Sequence, residues 1–174
     1  MNLYQRLHER RDEPVRIGVI GAGKFASMFF TQARHTPGLH ILGVCDLDPG
    51  RARVALQRTG WPDAQIAAAT FDEARRTGAT RLTEDAAALI AADGIDVIID
   101  ATGDPLAGIR HALACVEARR HIIMVNVEAD VLAGPLLAAR AREAGVVYAM
   151  AYGDQPALIV ELVDWARATG FEVV

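Results

Sequence analysis

Val15-Arg-Ile-Gly-Val-Ile-Gly-Ala-Gly-Lys-Phe-Ala26 is the stretch whose reading decides the fold. Ile17 to Ile20, with Val15 leading in, read as an apolar strand, and the glycines that follow break it into a tight turn. Lys24 to Ala33 then reads as a helix, with Phe25, Met28 and Phe29 spaced to share one side. Gly21, Gly23 and Ala26 occupy the three small positions of the pattern G-x-G-x-x-G/A. The first lets the chain turn sharply, the second lets backbone approach a ligand, and the third lets the helix lie close to the sheet. Such a turn aims free amides and the positive end of a helix at an anion, and this spacing suits the diphosphate bridge of a dinucleotide. Gly21, Gly23, Lys24, Phe25 and Ala26 are therefore the expected phosphate-side residues.

Working outward, the next apolar run, Leu39-His-Ile-Leu-Gly-Val-Cys45, ends in Asp46, 23 residues beyond Gly23. A carboxylate at that point accepts hydrogen bonds from an adenosine ribose. It also repels a 2′-phosphate, which tilts the reading toward NAD over NADP. Arg51 and Arg53 follow closely, however, and would receive that phosphate if the loop folded back, so both cofactors stay open.

The rest of the chain keeps alternating. Asn2 to Arg11 reads as a short surface helix, and Pro14 separates residues 1–14 from a dinucleotide-binding domain over 15–174. Helices are expected over about Arg51–Thr59, Phe71–Arg76, Glu84–Ala92, Leu106–Arg119, Val131–Ala144 and Gln155–Ala168. Strands are expected at Arg81–Thr83, Ile95–Ala101, His121–Val127 and Val146–Ala151. The near-continuous apolar run Ile95-Asp-Val-Ile-Ile-Asp-Ala101 is typical of a parallel strand covered on both faces. The alternation predicts an α/β class, a Rossmann-type doubly wound parallel sheet in one domain. Phe171 to Val174 reads as one more strand, either an edge strand or the opening of a longer protein's next part.

Ligands of such sheets lie beyond the carboxyl ends of the strands. Thr102, Gly103 and Asp104 would there meet the cofactor's ribose or nicotinamide, although Asp104 followed by Pro105 equally reads as a helix start. Asn126 and Glu128 would face the nicotinamide side, with Asp130 an equally good helix cap. Glu128 and Asp154 are the candidates for catalysis, and Asp154 also fits a helix start. No histidine pairs with a carboxylate or hydroxyl at a spacing that suggests a relay. Ser27, the only serine, does not sit in a nucleophile elbow.

Composition narrows the class. A chain of 174 residues with 52% hydrophobic content, net charge −4 and mixed charges reads as a soluble globular protein without a basic nucleic-acid surface or a membrane span. Cys45 and Cys115 lack metal-type spacing, so no metal site and reduced, cytoplasmic thiols are expected. Lys24 is the only lysine.

Ile17–Ala26, Val44-Cys-Asp46, Ile95–Gly103 and Val125-Asn-Val-Glu-Ala-Asp130 together resemble the amino-terminal domain of homoserine dehydrogenase-like oxidoreductases. They are most similar to the branch of larger bacterial proteins that carry a SAF domain, which includes deoxyxylulose phosphate reductoisomerase-like enzymes using NADPH. The resemblance implies an NAD(P)-dependent enzyme transferring hydride between a nicotinamide dinucleotide and a small hydroxy or carbonyl substrate, as a homo-oligomer when full length. Typical members carry an asparagine–lysine pair where Glu128 and Ala129 stand here, and a catalytic lysine in a later region. Residues 1–174 alone are then expected to bind cofactor without turnover. Three alternatives remain: a reductoisomerase on a sugar phosphate, a non-catalytic nucleotide sensor, and a methyl transfer from S-adenosylmethionine.

Overall fold

A computed structural model describes residues 2–153 and 155–174. The first crossover is built as its sequence demands: β1 (Val15–Ile20) ends at the glycine turn and α2 (Lys24–Ala33) opens beyond it, after a short leading helix α1 (Leu3–Glu9). There follow β2 (Leu39–Cys45), α3 (Pro49–Arg58), a 3-10 turn (Asp63–Ile66), α4 (Phe71–Thr77), β3 (Arg81–Thr83) and α5 (Ala86–Ala91). The second half runs β4 (Val97–Asp100), α6 (Pro105–Glu117), β5 (His121–Met124), α7 (Val127–Ala144), β6 (Tyr148–Met150) and α8 (Gln155–Ala168).

The six strands form one parallel sheet in the order β3-β2-β1-β4-β5-β6. After β3 the chain crosses back to lay β4 beside β1, so the strand order reverses between these two and leaves a crevice beyond their carboxyl ends. Each face of the sheet buries its own core. On one, Val19, Ile41, Val44 and Ile99 pack with Phe30 of α2 and Leu56 of α3. On the other, Leu42, Ile98, Ile122 and Met124 pack with Leu89 of α5, Cys115 of α6 and Leu137 of α7. Burying a Phe, Leu or Ile side chain contributes about 1.5–3 kcal/mol, so the two layers hold the strand ends in fixed relation. Among the described residues no helix is long and apolar enough to cross a membrane.

Helix α2 has the bounds read from the sequence and the structure adds which face it buries, while two other expectations need correction. Helix α2 buries Ala26, Phe30 and Ala33, whereas Phe25 and Met28 are exposed and Phe29 is half-buried. The small Ala26 sets the face: it is the residue that lets the helix lie against the sheet, and Phe30 and Ala33 follow it at helical spacing. Strand β5 stops at Met124 and α7 begins at Val127, because Asn126 rather than Asp130 is the N-cap and accepts the Ala129 amide at 3.0 Å. Phe171–Val174 form no strand; these residues are exposed, and Phe171 stacks on Trp165 of α8. Their apolar side chains suit a strand, but a strand exists only where a sheet edge pairs with it.

Candidate cofactor-binding site

At the head of α2 the backbone is prepared for an anion. Gly21 has φ +97°, and a Cβ there would come within 2.7 Å of the Ala101 carbonyl oxygen, so the turn from β1 to α2, lying against the end of β4, admits only glycine. Gly23 differs. Its φ of −80° suits any residue, and a Cβ would meet nothing within 4 Å. The protein itself does not need this glycine; a ligand pressed against the backbone would. The capping pattern agrees. Asn2, Asp48, Thr70, Asp85, Asp104 and Asn126 each cap their helix with a side-chain oxygen, from α1 and α3 to α7. Of α1–α7, only α2 has no side-chain cap. Among the described residues its first amides have no side-chain acceptor, and the helix dipole gives this end favourable potential for an anion.

Asp46 lies at the end of β2 as anticipated, nearly fully buried, but its carboxylate is not open. Oδ2 accepts the Ala22 amide at 2.8 Å, and Oδ1 accepts the Asp48 amide at 3.1 Å. Nη2 of Arg51 donates to both oxygens at 2.7 and 2.9 Å. Burial pushes this carboxyl upward, but Arg51 and the two amides outweigh it and hold it below its ordinary value. Arg53, the other basic residue considered, faces elsewhere: it reaches the Ile66 carbonyl oxygen at 3.4 Å and Asp63 at 4.0 Å.

Between the ends of β1, β2, β3 and β4 opens a cleft of about 450 Å³. Gly21, Asp46, Glu84, Thr102, Arg110 and His111 are among its walls. Thr102 is held from two sides, donating its hydroxyl to Asp100 Oδ1 at 2.7 Å and accepting from Asn126 Nδ2 at 3.1 Å. Asp104 accepts the Ala107 amide at 2.7 Å, so its carboxylate is the cap of α6 while Gly103 beside it is exposed. Glu128 is exposed in the first turn of α7, not at a strand end, and Asp154 lies outside the described residues.

Sequence reasoning missed one pair. His111 Nδ1 lies 2.6 Å from Asp100 Oδ2, joining the end of β4 to the second turn of α6 and to the Thr102–Asn126 network. The two residues are 11 apart across a turn, where neither helical nor strand periodicity links them. The available signal was Asp100 itself, a charge closing an otherwise apolar strand. The cysteines offer no chemistry, since burial raises the Cys45 thiol to about 11 and the Cys115 thiol to about 12.

A switch-point crevice, an uncapped helix facing it and an acidic β2 end define the class: a dinucleotide-binding domain of the doubly wound type. Residues 15–152 match the model of the GFO/IDH/MocA oxidoreductase family, NAD-binding Rossmann fold, and the chain belongs to that family. It is 30% identical over 154 residues to L-aspartate dehydrogenase 1 of Bordetella pertussis, covering 85% of this chain and 57% of that protein. The namesake from Bordetella parapertussis matches equally. The chain thus spans a little over half the length of these curated relatives. Its fold is that of the WlbA dehydrogenase of Chromobacterium violaceum, solved with NADH and UDP-GlcNAcA, with a TM-score of 0.62 at 19% identity over 91% of this chain and 41% of that one. Myo-inositol dehydrogenase of Lactobacillus casei, solved with NAD(H) and myo-inositol, has a TM-score of 0.61 at 15% identity, covering 88% of this chain and 42% of that one.

Proposed function

We propose that this chain is the coenzyme-holding part of an NAD(P)-dependent dehydrogenase that oxidises or reduces a small hydroxy, carbonyl or amino substrate. The observation that carries the reading is the head of α2, where an uncapped helix meets a glycine that the fold itself does not require. The amides of Gly23, Lys24 and Phe25 would hold the diphosphate, with Ala26 keeping the helix close to the sheet. Asp46 and Arg51 would meet the adenosine ribose. Thr102 and Gly103 would line the path toward the nicotinamide, Asp104 fixing their loop through its cap. When bound, the nicotinamide supplies or accepts the hydride. The chain's own contribution is to hold that ring in one place and orientation, which is a large part of the barrier reduction in such reactions.

The aspartate dehydrogenase relative supports an amino-acid-sized substrate, and the segments Ile95–Gly103 and Val125–Asp130 support a homoserine dehydrogenase-like branch. The proton-transfer groups are proposed to lie outside this chain, since the two relatives are longer than the region matched and Glu128 is held away in solvent. Calorimetry with NADH and NADPH tests the reading. At least one should bind, and Gly23→Ala should weaken binding by at least about tenfold while the melting temperature stays within about 2 °C. No heat with either coenzyme would defeat it.

A further inference from the structure

Arg51 separates two cavities. On one side is the cleft that holds Asp46; on the other is a groove of about 580 Å³ between α2 and α3. That groove is lined by Lys24, Arg51 and Arg58 with the hydroxyl residues Ser27 and Thr59, and among the described residues no carboxylate lines it. Arg51, Val54, Ala55 and Arg58 follow one another at helical spacing, so α3 turns one continuous face toward α2. The groove begins at Gly23, the glycine whose missing Cβ leaves open space.

Arg51 uses a single nitrogen on Asp46. Both bonds come from Nη2, which leaves the Nη1 and Nε hydrogens of the guanidinium available. The side chain of Arg51 is 63% exposed against 1% for Asp46, so the guanidinium is the accessible member of the pair. An uncovered carboxylate in this position rejects a second negative group on the ribose. One already neutralised by a planar cation does not, and that cation keeps donors for a phosphate.

Resting on the dinucleotide reading above, we propose that Arg51 makes this site selective for the 2′-phosphorylated coenzyme, NADP(H). The adenosine 2′-phosphate lies at the mouth of the α2–α3 groove, bound by Arg51 with Lys24 and Arg58 supplying further positive charge. Asp46 keeps its structural bonds to Ala22 and Asp48 and holds Arg51 in place. It is therefore a positioning residue for the guanidinium, and its neutralised carboxylate does not exclude the phosphate.

The test uses fragments of the coenzyme, so that it does not depend on catalysis. Calorimetric titration of the wild-type chain with 2′,5′-ADP and with 5′-ADP should give at least about tenfold tighter binding of the first. Arg51→Ala should bring the two affinities within about threefold of each other, and Arg51→Lys should restore part of the difference. Added salt should weaken 2′,5′-ADP more than 5′-ADP. Equal or tighter binding of 5′-ADP by the wild type, or an unchanged ratio in Arg51→Ala, overturns the proposal and leaves the dinucleotide site standing. If neither nucleotide nor NADH binds, the dinucleotide reading falls first and this one with it.

Discussion

Two glycines two positions apart do different work. Gly21 is required by the fold, because its φ of +97° and the Ala101 carbonyl oxygen 2.7 Å from any added Cβ leave no alternative. Gly21→Ala should cost about 1–3 kcal/mol through the left-handed backbone alone, with the crowding against Ala101 added to it. Thermal melts followed by circular dichroism should show a loss of at least about 3 °C, and an unchanged midpoint would mean that the turn relaxes freely. Gly23, by contrast, is not required by the fold, since a Cβ there would meet nothing within 4 Å, and on the proposed reading its substitution reads out in binding. Both glycines were legible in the sequence as one motif. Their separate jobs were read from the motif as well; the structure adds that a Cβ at Gly21 would strike the Ala101 carbonyl oxygen while one at Gly23 would meet nothing within 4 Å.

At the level of elements, the crevice is held by a chain of polar side chains running across strand ends. Asn126 caps α7 through its Oδ1, while its Nδ2 donates to Thr102 Oγ1 and, at 2.8 Å, to the Asp104 carbonyl oxygen. It is 1% exposed, and its loss removes three hydrogen bonds, one of them donated by the amide of the buried Ala129. Asn126→Ala should destabilise the protein by about 2–4 kcal/mol, combining a lost cap with unsatisfied buried groups. Asn126→Asp, which retains the acceptor for the Ala129 amide, should lose less. Urea denaturation of the two variants checks the order, and equal loss in both would argue against a capping role. Asp100 and His111 extend this chain to α6, with Asp100 fully buried and bonded to Thr102 and to His111. The helices themselves were readable from their caps and prolines, and α2 and α8 begin and end where the pattern put them. The start of α7 was misread by four residues, since Asn126 and Asp130 are equivalent caps until β5 has a fixed end.

For the whole molecule, the parallel sheet places one titratable group in a position that couples stability to pH. His40 on β2 is partly buried, and its Nε2 lies 2.9 Å from the Ala79 carbonyl oxygen. Desolvation lowers its pKa below 6.5, assisted by the charge of Arg16, and the Ala79 contact only partly opposes this. The folded state therefore refuses a proton that the unfolded chain accepts. Stability attributable to His40 is intact above the unfolded value and falls as the pH drops through the range near 6.5. The melting temperature should decline between about pH 7.5 and about pH 5.5, and His40→Gln should flatten that decline. A slope identical to wild type in the variant would assign the pH response elsewhere.

The sequence by itself determined the alternating α/β order, the glycine turn, the acidic end of β2 and the parallel character of the sheet. All of these rest on local periodicity and on turn chemistry within a few residues. Only the tertiary structure decided that Arg51 covers Asp46 while Arg53 turns away, that His111 reaches Asp100, and that Asn126 ties the start of α7 to Thr102. Those contacts depend on which side of a helix meets which strand end. That is settled by how two apolar faces pack onto one twisted sheet, and no spacing along the chain encodes it directly.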